Sequence, residues 1–284
     1  MDTTNIFTVT PMSYNIELSA GQEYSSTLTI VNPANAAKDF NYKVGISPYA
    51  VEGDDYEVDF TTESIRTQIA DWITIENPIG TLRPNEIAKV KFTIKVPETA
   101  PAGGQYAALM VSSNNENKIN GNISISNVFE MASIIYANIK GETVRDGELI
   151  DSTIPGFVTK LPIRISATLV NNGNAHEIAK TNLEVKNLLS PQIIYPQPGE
   201  SGMINEVIMP ETSRYITRDI TGTSQLGVYE VTQTINYLGQ DYKFRQTVVI
   251  CPIWFMVLSI VTVTAIVALI INRIKKYRRK RRVL

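Results

Sequence analysis

The sequence predicts an all-β protein: two tandem β-sandwiches followed by a single C-terminal helix able to cross a membrane. Three observations predict it. Apolar and polar residues alternate with period two through most of residues 1–250, helix signals are sparse, and Ile253 to Ile271 is a run of 19 residues without a charge. Strict alternation gives a strand one apolar face for a core and one polar face for water, which is the pattern of antiparallel sheets.

In chain order, Tyr24, Ser26, Leu28 and Ile30 alternate with Ser25, Thr27, Thr29 and Val31. Phe40, Tyr42, Val44 and Ile46 follow the same rule, as do Val90, Phe92, Ile94 and Val96. Between them, Thr62, Ile65, Ile69 and Trp72 have helical spacing, so one short helix or irregular crossover is expected before a strand from Trp72 to Glu76. The pattern resumes after Gly141 with Leu161, Ile163, Ile165, Ala167 and Leu169 on one face. Tyr229, Val231, Ile235 and Tyr237 then match Tyr242, Phe244, Val248 and Ile250, with a tight turn expected at Gly239-Gln240. Cys251-Pro252 ends the last strand, because proline cannot continue the ladder.

A weak internal repeat divides this body. Residues 26–33 resemble residues 166–173, each a strand running into a turn opened by Asn32 or Asn171. Pro84-Asn85-Glu86 parallels Pro210-Glu211-Thr212, and Gly104-Gln105-Tyr106 parallels Gly227-Val228-Tyr229. A Gly-x-Tyr entering a late strand resembles the corner of immunoglobulin-like sandwiches, where the tyrosine hydroxyl bonds back to backbone. Two such sandwiches are therefore expected, at 1–140 and 141–250, parted at Lys140-Gly141-Glu142. Tyr106 and Tyr229 are the expected corner residues, critical to the fold and not to binding.

The apolar run at 253–271 spans about 28 Å as a helix, close to a hydrocarbon core of roughly 30 Å. Ser259, Thr262 and Thr264 within it can bond to their own helix carbonyls. Trp254 suits the lipid–water interface at one end. At the other, residues 272–284 hold Arg273, Lys275, Lys276, Arg278, Arg279, Lys280, Arg281 and Arg282. Cations beside a span stay in the cytoplasm, so a single pass through the plasma membrane is expected, with the 272–284 tail inside and residues 1–250 outside. The tail can also attract anionic lipid. A body facing outward needs an export signal, and Met1-Asp2-Thr3-Thr4-Asn5 supplies neither a positive nor an apolar region, so a leader absent from this chain is expected.

Composition narrows function. The formal charge is −2, from 26 basic and 28 acidic residues; without the eight tail cations the rest stands near −10. Such a body repels phosphate backbones, so no nucleic-acid partner is expected. A single cysteine, Cys251, excludes an internal disulfide and Cys-based metal sites, and the single histidine, His176, excludes histidine-pair motifs. His176 follows Asn171-Asn172-Gly173-Asn174 and is read as a surface-loop residue, without a nucleophile elbow to serve. Glu52, Asp54, Asp55, Glu57 and Asp59 crowd a loop whose spacing fits no EF-hand; whether it binds calcium is left open. Gly103-Gly104 lacks the Lys and helix of a phosphate loop, and Trp72 is read as core. Asn122-Ile123-Ser124 matches a glycosylation sequon. No cofactor, metal or catalytic residue is expected.

The order of parts resembles the WxL-protein-interacting family of membrane-anchored surface proteins of Gram-positive bacteria. The likeness rests on Phe7-Thr8-Val9-Thr10-Pro11, the strand ending Val31-Asn32-Pro33, Gly80-Thr81-Leu82 with Pro84-Asn85-Glu86, and Pro101-Ala102-Gly103-Gly104-Gln105-Tyr106. A second sandwich, one span and a basic tail follow. The resemblance implies a first domain that contacts peptidoglycan and a second that contacts partner proteins, with no residue roles to transfer. The expected function is thus a non-enzymatic surface protein binding cell-wall polymer, another surface protein, or both. The alternative is an accessory or chaperone-like scaffold of a secretion or pilus system.

Overall fold

The computed structural model describes residues 7–53, 55–113, 129–190, 192–196 and 202–281, with side chains up to Lys275. The Asn122-Ile123-Ser124 sequon and Asp54 lie outside the described residues, as do the side chains of Lys276, Arg278 and Arg279. By contacts the chain forms two compact units. Unit 1 runs to Glu148 and takes in Leu169–Glu177 and Val207–Arg214; unit 2 holds Leu149–Thr168, Ile178–Glu206 and the chain from Tyr215. The expected division at Lys140-Gly141-Glu142 differs from these units by three stretches, residues 141–148 and the two later segments that join unit 1.

The first eleven strands are β1 (Thr8–Thr10), β2 (Ser13–Leu18), β3 (Glu23–Val31), β4 (Phe40–Pro48), β5 (Ala50–Glu52), β6 (Glu57–Asp59), β7 (Ile73–Ile75), β8 (Ile79–Leu82), β9 (Ile87–Lys95), β10 (Gly103–Ser113) and β11 (Glu130–Ile139). They stack as a four-stranded sheet, β1-β3-β9-β7, on a five-stranded sheet, β2-β11-β10-β4-β8, with β5-β6 a separate hairpin. The alternating residues do what their spacing predicts: Leu28, Ile30, Phe40, Tyr42, Val44, Val90, Phe92 and Ile94 join one buried core with Phe7, Leu18, Ile135 and Ile139. Trp72 packs against this core, half-buried, from the short helix α1 (Ile69–Trp72). The first strand divides between sheets: β1 pairs antiparallel with β3, and beyond the cis Thr10-Pro11 bond β2 pairs parallel with β11.

The later strands are β12 (Gly147–Thr153), β13 (Phe157–Val158), β14 (Ile163–Asn171), β15 (Glu177–Asn187), β16 (Gln192–Tyr195), β17 (Met203–Ile208), β18 (Thr212–Ile220), β19 (Gly227–Tyr237) and β20 (Gln240–Ile250). They repeat the scheme. β12 joins the sheet β12-β14-β18, and β13 crosses to pair parallel with β20 in the sheet β13-β20-β19-β15-β16. Ile163, Ile165, Leu183, Val185, Ile220, Tyr229, Val231, Val248 and Ile250 form the core of unit 2. The class is all-β, of immunoglobulin-like sandwiches.

The β19–β20 turn falls one residue earlier than expected. Tyr237 opposes Gln240, and the two central residues are Leu238 at φ 50° and Gly239 at φ 78°. Both lie in the left-handed region, the signature of a type I′ turn, whose twist matches that of the strands. Leucine rarely adopts that conformation, which is why the sequence pointed to Gly239-Gln240.

From β20 the chain passes through Cys251 and Pro252 into α2 (Ile253–Arg281). Within its first 23 residues, Ile253–Lys275, an 18-residue window has a mean hydropathy of 2.6, and no residue of that window is buried. Ser259, Thr262 and Thr264 donate to the carbonyls of Phe255, Leu258 and Val261, so no hydroxyl in the run is left without a partner.

Candidate functional site

The two expected corner tyrosines are both buried, but they act differently. Tyr229 Oη accepts the backbone N–H of Ser224 at 2.9 Å, five residues upstream, and lies 2.7 Å from its hydroxyl. A Cβ at Gly227 would stand 2.8 Å from the Tyr229 ring, so only glycine lets the ring fold back there. Tyr106 folds over Gly104 in the same way, yet its hydroxyl accepts the N–H of His176 at 2.9 Å, from the turn between β14 and β15. The expected local corner at Tyr106 is therefore corrected to a long-range clasp. Its ring also leaves the main core of unit 1 for a second cluster with Tyr49, Ala108 and Met209.

Around this clasp unit 1 gathers aromatic side chains. Tyr106 meets Tyr136 and His176 edge to face, at centroid distances of 6.0 and 5.7 Å, and Tyr136 meets Tyr49 at 5.8 Å. His176 is therefore half-buried among rings, not the solvated loop residue expected from sequence. The β5–β6 hairpin brings in Tyr56, whose hydroxyl accepts from Met209 N–H at 2.8 Å and lies 2.6 Å from Thr212 Oγ1. The Arg214 guanidinium stands 4.6 Å over the Tyr56 ring. Arg66 donates to Ala102 O at 3.3 Å and to Glu211 Oε1 at 2.9 Å. Gly103, at φ +102°, and Gly104 admit the turn at Asn174: Gly104 N–H donates to Asn174 O at 2.7 Å.

A pocket of about 410 Å³ opens on this cluster, walled by Tyr49, Arg66, Thr67, Tyr106 and Met209. Its one charged wall residue is Arg66, which is paired with Glu211, and the titratable rings around it are held neutral. Burial holds the His176 imidazole below the usual histidine range, with adjacent Glu177 pulling weakly the other way. Burial likewise raises the Tyr56, Tyr106 and Tyr136 hydroxyls. These groups pack and hydrogen-bond: Tyr106 Oη lies 3.4 Å from His176 Nδ1, and Tyr49 Oη 3.4 Å from Tyr136 Oη. Among the described residues, no three His, Cys, Asp or Glu side chains gather as a metal site. Of the acids at 52–59, Glu52, Asp55, Glu57 and Asp59 sit on the β5–β6 hairpin, where Asp59 accepts from Thr61 and Thr62 through both carboxylate oxygens.

A larger groove, about 900 Å³, runs beside β4 and is lined by Ile46, Pro48, Glu63, Thr67, Gln68 and Asp71. It exists because β8 is short. β8 pairs β4 only from Phe40 to Lys43, and Val44 N–H then donates to Pro78 O at 2.7 Å. Beyond that point no described strand covers this edge, and Ile46 presents backbone to the groove, two residues on from Val44. The short helix α1 and the acids Glu63 and Asp71 form the opposite wall.

Of the expected membrane residues, Trp254 is exposed at the start of α2 and stacks edge-on against Phe255 at 5.7 Å, while Arg273 and Lys275 extend the helix past its apolar run. Sequence reasoning missed Arg66, Arg214, Tyr49 and Tyr56 as a group. Each is ordinary in its own window, and only the long-range fold assembles them.

No family model and no curated protein matches this chain. Among solved structures, it is similar to a chain of the CsuC–CsuE chaperone–tip adhesion subunit complex of Acinetobacter baumannii, with 11% identity and a TM-score of 0.40 over 86% of this chain and 99% of that one. It is also similar to a chain of the Salmonella enterica SafA pilin–SafB chaperone complex, with 10% identity and a TM-score of 0.41 over 87% and 98%. The E. coli chaperone DraB matches at 10% identity and a TM-score of 0.39, over 85% and 98%. At this level of identity no residue role transfers.

Proposed function

We propose that this chain is a non-enzymatic membrane-anchored surface protein of the WxL-interacting kind, whose β-sandwiches stand outside the cell and bind another surface protein. The observation that carries the proposal is the passage of β20 into an uncovered apolar helix through two residues, followed by a tail of cations. Positive charge beside a span keeps the tail in the cytoplasm and the sandwiches outside. The open half of β4 supports the binding role, since a partner strand can add to unpaired backbone while side-chain pockets set specificity. Glu63 and Asp71 along that groove favour a basic polypeptide over an anionic wall polymer.

The same open edge supports a second reading, an accessory or chaperone-like scaffold that receives secreted subunits before assembly. The two differ in the state of the partner. Full-length protein in nanodiscs is mixed with detergent-extracted mature surface proteins, with purified peptidoglycan, and with freshly secreted unassembled subunits. The proposal predicts retention of a mature surface protein, weakened by Ile46→Pro, which removes a backbone donor from the open edge. Retention of unassembled subunits alone supports the scaffold, and sedimentation with peptidoglycan alone overturns the protein-partner reading.

A further inference from the structure

The end of unit 2 from which α2 departs differs from the rest of the body in both charge and hydropathy. Register fixes what lies there. Gly227, the first residue of β19, opposes Ile250, the last of β20, and Tyr229 opposes Asn187, the last of β15. Leu188 N–H then donates to Val228 O at 2.9 Å, which puts the Leu188–Leu189 turn at the same end. Thr159, Lys160, Leu161 and Gln225 meet Pro252, Ile253 and Trp254 around a hollow of about 720 Å³.

This end is apolar and uncovered. Leu189 is 75% exposed, and Leu188, Leu226 and Trp254 are exposed beside it. One step up the sheet, an apolar row crosses three strands and reaches the turn after β15: Phe157 opposes Val249, Val249 opposes Val228, and Val228 is bonded to Leu188. Phe157 and Val249 are both exposed. Residues 159–162, 188–191, 221–227 and 251–254 contain no acid and one charged residue, Lys160. In a body near −10, the turns at the end the helix leaves from carry no acid, and the nearest one, Asp219, is paired with Arg164.

The connection leaves no slack. Cys251 and Pro252 span at most about 7 Å when extended, and Cys251 N–H is tied to Val158 O at 3.0 Å. A headgroup layer is roughly 5–8 Å deep on each side of the hydrocarbon. With Ile253 at the hydrocarbon boundary, the three steps back to Ile250 reach at most about 11 Å, so Ile250 lies at or just past the outer edge of the headgroups and the turns level with it are within reach of them.

We propose that this end is a lipid-contacting foot: Leu188, Leu189 and Leu226 enter the headgroup region of the bilayer that α2 crosses, and Lys160 sits over its phosphates. Charge complementarity with an anionic leaflet and continuity with the span select lipid as the occupant. The foot rests on the reading of α2 as a transmembrane helix. It fixes the sandwich against the membrane surface, instead of letting it swing on a tether.

Spin labels read it. In full-length Cys251→Ser protein reconstituted in phosphatidylglycerol-containing vesicles, single labels are placed through Leu189→Cys, Leu226→Cys, Lys243→Cys and Val261→Cys, and their collision rates with oxygen and a water-soluble nickel chelate are compared. The foot predicts that labels at 189 and 226 lose several-fold in nickel accessibility relative to 243, at an oxygen accessibility between those of 243 and 261. Labels at 189 and 226 as nickel-accessible as 243, with 261 deep in hydrocarbon, overturn the foot and leave the span intact. A water-accessible label at 261 overturns both, and spin–spin broadening at 189 would assign the face to a second copy and overturn it.

Discussion

Asn32 and Asn171 hold equivalent posts in the two sandwiches. Each is fully buried at the end of a strand, and each donates its side-chain amide to two carbonyls: Asn32 to Lys38 and Leu82, Asn171 to Ala175 and Ile208. In both, one bond closes the turn that follows and the other ties that turn to a distant strand end. The paired Pro-x turns match as well, since Asn85 (φ 68°) and Glu211 (φ 60°) both adopt the left-handed conformation. The internal repeat is thus one of hydrogen-bond wiring as much as of sequence.

Alanine at Asn171 strips partners from the buried Ala175 and Ile208 carbonyls, and at Asn32 from the buried Leu82 carbonyl and the more open one of Lys38; each buried orphan costs about 1–3 kcal/mol. Asn32→Ala and Asn171→Ala should each destabilise the protein by about 2 kcal/mol or more in urea melts. Asn→Asp should not rescue, because a carboxylate cannot donate. Stability unchanged in both alanine variants would contradict the shared role.

The tyrosines separate local from long-range wiring. Phenylalanine at Tyr229 deprives the Ser224 N–H of its acceptor, and at Tyr106 deprives His176 N–H of its own. Each should cost about 1 kcal/mol. Tyr106→Ala, which also empties the aromatic cluster, should cost about 3–5 kcal/mol. A melting curve untouched by Tyr106→Ala would refute the clasp.

These same residues mark how far the sequence could be read. Period-two alternation located the strands of both cores, because a half-buried sheet enforces it residue by residue. Asn32 and Asn171 were visible as turn openers, and Gly-x-Tyr as a ring folded over glycine. The partner of Tyr106 was not visible, since His176 lies 70 residues away in a turn and no local pattern encodes that meeting. Nor did the sequence show that the first strand of each sandwich divides between two sheets, or that β8 stops short and opens the groove beside β4.

His176 gives a pH signature. Burial among Tyr106 and Tyr136, outweighing the pull of Glu177, depresses its pKa below the ordinary 6.5. The unfolded chain then binds a proton that the folded one resists, so stability is intact above about pH 6.5 and is lost as pH falls toward the folded value. The gap in melting temperature between the native protein and His176→Asn should narrow from pH 7.5 to pH 5. A gap that widens would reverse the sign of the shift.

In unit 2 the Glu206 carboxylate is buried and contacts the Arg218 guanidinium. Removing the cation takes the charge partner from a buried carboxylate, and breaking such a pair typically costs about 3–5 kcal/mol. Arg218→Met should therefore destabilise strongly, and the double variant with Glu206→Gln should recover part of the loss. An Arg218→Met protein as stable as the parent would show the pair to be dispensable.

The central claim is that α2 crosses the membrane with its cations inside and the sandwiches outside. Intact cells carrying the full chain, tagged at each terminus, are treated with protease and then compared with lysed cells. The account predicts digestion of the β-rich body from the medium, with the C-terminal tag cut only after lysis. A body that survives while the C-terminal tag is removed from intact cells would contradict it.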